Sequence, residues 1–306
     1  MKIAEQNLAK LAAVYSGLVF GVYWIPLRAL AEHGISGIWP VVVINVIPLT
    51  VLSPLVVIRP GAFFPGRLRF HVAGFLAGIT FALYAAAFLY TEVVRVVLLF
   101  YLTPVWGFLL ARAVIGDAIT PLRWMSICLG LGGMLVILGV EVGLPAPHNA
   151  GDWMALAAGI TWAFASLMLL TDSKANTLDY CCIFYFWSAA GAAILAGIAT
   201  VHGISTVPDL SELPATLPWL IPVAVLVILP AGFAAIYGPT ILNPGVVGLL
   251  FMTEISVATI TAAWLAGEPF GTRELLGVVL ITLAGALEPV IQTYRSRTAR
   301  AVPQSE

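Results

Sequence analysis

VVGLLFMTEISVATITAAWL, Val246–Leu265, is an unbroken apolar run with a single charged residue, Glu254. A helix needs about 20 apolar residues to cross the hydrocarbon of a bilayer, and this stretch supplies them. Val96–Phe100 and Val223–Leu229 are equally continuous, whereas the strands of a membrane barrel alternate apolar and polar residues. The run therefore reads as a transmembrane helix. Working outward, nine further stretches read the same way. The ten predicted spans cover roughly 10–31, 36–58, 70–90, 93–115, 122–141, 152–171, 179–201, 217–238, 244–266 and 273–293. Proline, glycine and charge punctuate the gaps, as at Arg59-Pro60-Gly61, Gly116-Asp117, Pro145-Ala146-Pro147 and Gly267-Glu268-Pro269. Two turns are very short, at Thr91-Glu92 and Asn243-Pro244. They fold spans three and four into one hairpin, and spans eight and nine into another.

Composition agrees. Of 306 residues, 61% are hydrophobic and 9% charged, and mean hydropathy is +1.02. An ordinary soluble domain is about 25% charged, so a soluble domain, a disordered tail and a disulfide scaffold are all excluded. A net charge of −1 offers nothing to nucleic acid. Cys128, Cys181 and Cys182 have neither disulfide nor zinc spacing and read as free apolar thiols. The N-terminus carries Lys2 and Lys10 before an apolar stretch from Leu11 to Leu30. Ala29-Leu30-Ala31 resembles a signal-peptidase site, but the stretch is too long for a signal peptide. It reads as an uncleaved first helix.

Orientation follows from Lys and Arg in the short loops. With the N-terminus inside, Lys2, Lys10, Arg59, Arg67, Arg69, Arg112, Arg123, Lys174, Arg295, Arg297 and Arg300 lie inside. Arg28, Arg95 and Arg273 lie outside, so the balance is eleven to three. The expectation is a protein of the cytoplasmic (inner) membrane with both termini in the cytoplasm. The two halves also echo each other. Thr103-Pro104 is followed by Gly116-Asp117 and Arg123, and Thr253-Glu254 by Gly267-Glu268 and Arg273. Thr to Arg is 20 residues in each. Five helices is an odd number, so two such repeats must be inverted relative to each other, which is a signature of secondary transporters. The expected fold is all-α, with ten transmembrane helices in two inverted five-helix repeats around a central cavity. The first repeat is 1–145, the second 146–294, and 295–306 is a basic cytoplasmic tail.

Span four ends in Ala113-Val114-Ile115-Gly116-Asp117, span nine in Trp264-Leu265-Ala266-Gly267-Glu268. Glycine-containing helices follow, with Gly130-Leu131-Gly132-Gly133 and Leu275-Leu276-Gly277-Val278. Span six opens with Gly151-Asp152-Trp153 and continues to Ile160-Thr161-Trp162-Ala163. This order and spacing resembles the drug/metabolite transporter superfamily of the EamA type, and in detail most resembles the YddG-type aromatic amino-acid exporters. The resemblance covers nearly the whole chain. It implies a pseudo-twofold basket of ten helices, a central cavity and export of amino acids. One departure is Glu254, which stands where the pattern has an apolar residue or proline, as Pro104 does in the first half.

Glu254 stands out on physical grounds alone. A charge at a helix centre costs about 2.5–3.5 kcal/mol on insertion scales, so it should face the bundle interior or a wet cavity. It reads either as a proton- or cation-responsive coupling group, or as a hydrogen-bonded tie to a neighbouring helix. Arg95 and Arg28 read as paired or snorkelling charges at helix ends, or as basic groups near an outer cavity mouth. Glu288 reads as interfacial. The aromatics are the second signal. Phe81, Tyr84 and Phe88 share a helix face, Phe100, Tyr101 and Trp106 lie in span four, and Tyr15, Tyr23 and Trp24 in span one. Trp162 and Phe164 lie in span six, Phe233 and Tyr237 in span eight. Any one ring could face lipid. Together they suit a cavity that stacks on a flat apolar substrate and attracts an ammonium group. The candidate cavity set is Tyr84, Tyr101, Trp162, Phe81, Trp24, Thr103 and Tyr237, with Glu254 as the polar intramembrane group. Gly17-x-x-x-Gly21 and Gly74-x-x-x-Gly78 fit close helix packing. Pro26, Pro104, Pro222 and Pro230 should kink their helices.

Catalysis is not expected. The four histidines lie at helix ends or in loops, and neither a zincin motif nor a phosphate-binding loop is present. No cofactor or metal is expected, and the partners are a small-molecule substrate and the bilayer. The leading reading is an alternating-access exporter of aromatic and apolar amino acids, compatible with a monomer. A drug or nucleotide-sugar carrier and a passive channel are the alternatives, and few deep Lys or Arg argue against nucleotide sugars.

Overall fold

The structure, a computed structural model, describes residues 2–60, 68–118, 120–138, 147–172, 176–208 and 210–301. Arg67, Lys174 and the expected repeat boundary at 145/146 lie outside the described residues. So do the side chains of Glu288, Arg295, Arg297 and Arg300.

Every regular element among the described residues is helical. Eight helices are long and apolar enough to cross a membrane: Ala4–Glu32, Trp39–Ile58, Leu68–Ala87, Val93–Ile115, Ala150–Leu170, Thr177–Val201, Leu213–Thr240 and Pro244–Leu265. The other two predicted spans, 122–141 and 273–293, fall on helices Pro121–Leu138 and Thr272–Ala301. The first of these is apolar but shorter over its described part.

Four of the long segments are interrupted. The first consists of α1 (Lys2–Phe20) and α2 (Trp24–Glu32), separated by a turn at 21–23. It begins earlier than expected, because residues 2–9 include the good helix formers Lys2, Ala4, Glu5, Gln6 and Leu8. After α3 (Trp39–Ile58) and α4 (Leu68–Ala87), the fourth segment splits into α5 (Val93–Phe100) and α6 (Thr103–Ile115). Then come α7 (Pro121–Leu138), α8 (Ala150–Leu170) and α9 (Thr177–Val201). The next segment runs as α10 (Leu213–Val223), a π-helical stretch at Ala224–Ile228, α11 (Leu229–Tyr237) and a 3₁₀ turn at Gly238–Thr240. The ninth predicted span divides into α12 (Pro244–Phe251) and α13 (Thr253–Leu265), and α14 is Thr272–Ala301. α14 thus carries helix into the first part of the expected tail.

Proline explains several interruptions. It has no N–H and tolerates the first turn of a helix. Pro104 and Pro230 each occupy the second position of a restarted helix, and Pro26 the third. Pro222 sits just before the π-helical stretch.

Small residues set the packing, as expected where lipid supplies no hydrophobic drive between helices. α4 packs along α8 and α9, α7 along α14, and α1 against α11, α12 and α13. A Cβ on Gly74 would fall 2.4 Å from Ile183, and one on Gly78 2.5 Å from Trp187. A close crossing also joins α6 to α12. A Cβ on Gly107 would lie 2.9 Å from the Gly245 nitrogen, and one on Gly248 3.2 Å from Pro104 Cα. The two interrupted helices meet backbone to backbone there.

Candidate functional site

The site grows from the two interruptions. In the first, Pro104 cannot donate to the Phe100 carbonyl, and Thr103 Oγ1 donates to it at 2.5 Å instead. The same hydroxyl lies 3.1 Å from the Gly159 carbonyl on α8. In the second, the Ile255 N–H turns to the Met252 carbonyl at 3.0 Å. The Phe251 carbonyl accepts from Tyr101 Oη at 2.6 Å. Non-helical backbone at membrane depth is tolerated when protein buries and re-satisfies it, and here each interruption finds its partner on a neighbouring segment.

Glu254 follows directly after the second interruption. It is 2% exposed. Tyr84 on α4 donates to its Oε1, and Tyr101, between α5 and α6, sits 2.7 Å from Oε2. One carboxyl thus ties three parts of the chain together. Beside it lies a cavity lined by Phe20, Thr80, Phe81, Tyr84, Phe100, Trp162, Phe184, Ala235, Phe251 and Glu254. Its volume is about 30 Å³, room for a water or two rather than an amino acid. The rings close on one another: Tyr84–Phe100 at 4.4 Å, Phe20–Phe81 at 5.2 Å, Phe81–Phe184 at 5.3 Å and Trp162–Phe251 at 5.9 Å. Trp162 Nε1 is buried without a hydrogen-bond partner. Thr80 and Thr161 share a hydrogen bond of 2.7 Å. Glu254 is the one charged residue in this lining.

Of the residues chosen from sequence, Phe81, Tyr84, Trp162 and Glu254 line this cavity, and Tyr101 contacts it through Glu254. Three lie outside it. Trp24 donates to Thr261 Oγ1 at 3.2 Å and carries the Arg28 guanidinium 5.1 Å over its ring. Thr103 is spent on backbone carbonyls. Tyr237 stacks on Phe233 at 6.4 Å. Phe20, Phe184 and Ala235 line the cavity without having been singled out. Phe184 does sit in a dense aromatic run, Tyr180 to Trp187, which was the available clue.

Polar clusters lie at the helix ends. Asp152, fully buried, takes Arg95 Nη2 at 2.5 Å, Arg95 Nε at 3.3 Å, Thr91 Oγ1 at 3.1 Å and the His148 N–H at 3.0 Å. Arg59 pairs with Asp179 at 3.2 Å. Two acids just past the interrupted helices each reach the start of an interrupted helix in the other half. Gly116 and Gly267 both adopt φ of 69°, a left-handed turn that glycine takes without strain. Asp117 follows the first and accepts from Asn243 Nδ2 at 2.5 Å, next to the start of α12, and from Arg123 at 2.9 Å. Glu268 follows the second and accepts the first two N–H groups of α5, Val93 at 2.9 Å and Val94 at 3.2 Å. Arg28 stands 4.0 Å from Glu268.

A search of curated proteins finds no match. A solved structure, described only as the crystal structure of a protein, superposes with a TM-score of 0.67 at 18% identity. It covers 92% of this chain and 96% of its own, so the fold has a solved counterpart. Residues 7–139 match the EamA-like transporter family. Together with the eight membrane-length helices, this match makes the chain a multi-pass membrane protein and supports a transporter of the drug/metabolite superfamily.

Proposed function

We propose that the protein is a secondary carrier that exports aromatic and apolar amino acids across the cytoplasmic membrane, as the YddG-type exporters do. In this reading ten helices form two inverted repeats with both termini in the cytoplasm, and the repeats alternate access to the central cavity. The observation that carries it is the cavity itself: rings drawn from α1, α4, α5, α8, α9 and α12 around one carboxyl group. Flat apolar side chains stack on such rings. A substrate ammonium would be held by Glu254 and by the ring faces, and a substrate carboxylate by the unpartnered Trp162 N–H. A nucleotide sugar would bring phosphates to a cavity whose lining holds no Lys or Arg. The mirrored interruptions, the paired left-handed glycines and the acids at 117 and 268 favour the repeat. The closed cavity belongs to an occluded step of the cycle.

The test is counterflow in proteoliposomes. Vesicles are loaded with tryptophan, phenylalanine, methionine, threonine or nothing, and uptake of labelled phenylalanine is followed. Saturable uptake stimulated by internal aromatic amino acids is expected. Folded protein that shows no exchange with any amino acid would overturn the substrate assignment. A conductance without saturation would replace the carrier with a channel.

A further inference from the structure

Three short oxygen–oxygen contacts meet around Glu254. Tyr84 Oη touches Oε1, Tyr101 Oη lies 2.7 Å from Oε2, and the same Tyr101 Oη lies 2.6 Å from the Phe251 carbonyl. Two oxygens at such separations need a hydrogen between them. A carbonyl supplies none, and each phenol supplies one. With one hydrogen to each contact, as separations this short favour, two phenolic hydrogens do not fill three. One assignment satisfies all of them. Tyr101 donates to the Phe251 carbonyl, which has no other way to be paired with it. Tyr84 donates to Oε1. The remaining hydrogen then sits on Oε2 of Glu254 and is donated to Tyr101.

We propose that Glu254 is a proton-binding site, and that its proton is occupied in the closed cavity as the link joining the two interrupted helices. The surroundings agree. α4 presents Tyr84 to the carboxyl, and the α5–α6 junction presents Tyr101. α8 contributes Trp162, and α1 contributes Phe20 with Gly17 and Gly21 packed on the backbone around Glu254. α14 meets α13 through the Ser256–Thr282 hydroxyl pair. None of these groups is a cation that could balance an ionised Glu254, and burying an unpaired charge is costly. When the proton leaves to water, the carboxylate gains a negative charge. Tyr101 must then choose between Oε2 and the Phe251 carbonyl, so one acceptor loses its partner. Deprotonation therefore loosens the tie between the α5–α6 and α12–α13 interruptions, and the empty carboxylate becomes free to take another cation. The inference does not depend on which substrate is carried.

The test is infrared spectroscopy of the full chain reconstituted in lipid vesicles at neutral pH. The difference between wild type and Glu254→Gln should contain the C=O stretch of a protonated carboxylic acid, with both proteins equally helical by circular dichroism. Only carboxylate bands in that difference would overturn the proposal. Should Glu254→Gln not fold, Tyr101→Phe serves instead. It removes the acceptor of the carboxyl hydrogen, so the acid band should move to higher frequency against wild type. An unmoved acid region in that comparison would equally overturn it.

Discussion

Removing the Asp152 carboxylate should be among the most damaging single changes outside the cavity. The side chain has no exposed surface and satisfies four donors: two from Arg95, one from Thr91 and the His148 N–H. Asp152→Ala would strand the Arg95 guanidinium, whose side chain is only 17% exposed. Breaking a buried pair by removing one partner costs about 3–5 kcal/mol. The lower end applies here, because a partly exposed arginine can snorkel towards water. A loss of about 3 kcal/mol is a roughly hundredfold fall in the ratio of folded to unfolded protein. The assay is reversible denaturation in mixed micelles. The variant Arg95→Met/Asp152→Ala removes both charges and should regain about 1–2 kcal/mol of the loss, because apolar replacement of a buried pair is tolerated better than half of one. If Asp152→Ala falls within about 0.5 kcal/mol of wild type, as a surface change would, the Arg95–Asp152 pair does not hold α5 against α8.

Four further outcomes are expected. Gly107→Ala should destabilise by about 1–3 kcal/mol, the usual cost of overpacking, since its Cβ meets the Gly245 backbone at 2.9 Å. Gly132→Ala, with nothing within 4 Å, should be near neutral in the same denaturation assay. Trp162→Ala should weaken counterflow of phenylalanine more than that of threonine, and equal losses would leave Trp162 a packing residue. Glu268→Ala removes the acceptor of two α5 N–H groups and should cost about 0.5–2 kcal/mol, as lost helix caps do. Hydrogen exchange at Val93 and Val94 reads that loss directly.

Membrane crossing was legible because it depends on run length, which sequence displays without ambiguity. The restart at Thr103 was partly legible, because Pro104 announces it. The restart at Thr253 was not. No proline or glycine marks Met252, and that interruption is held by Tyr101 from another segment. Glu254 was visible because a charge within an apolar run must be explained. Cavity membership was harder to read. A helix that is apolar on every side has no periodic contrast to show which face turns inward. Trp24 and Tyr237 therefore entered the candidate set beside Trp162 and Tyr84. Phe20 and Phe184 carry no polar atom, and in sequence a ring facing the cavity is indistinguishable from one facing lipid.

The acid at Glu268 also bears on how the chain is built. The Val93 N–H that it caps was made 175 residues earlier. During synthesis the first turn of α5 emerges with two amides that nothing local satisfies, and it must wait for almost the whole second half to supply their acceptor. Asp117 finds Arg123 nearby but meets Asn243 only 126 residues downstream. The first half cannot finish the start of α5 by itself, so that part of the assembly is completed late. A nascent chain halted before Glu268 would hold all the preceding helices and still lack the acceptor that completes α5.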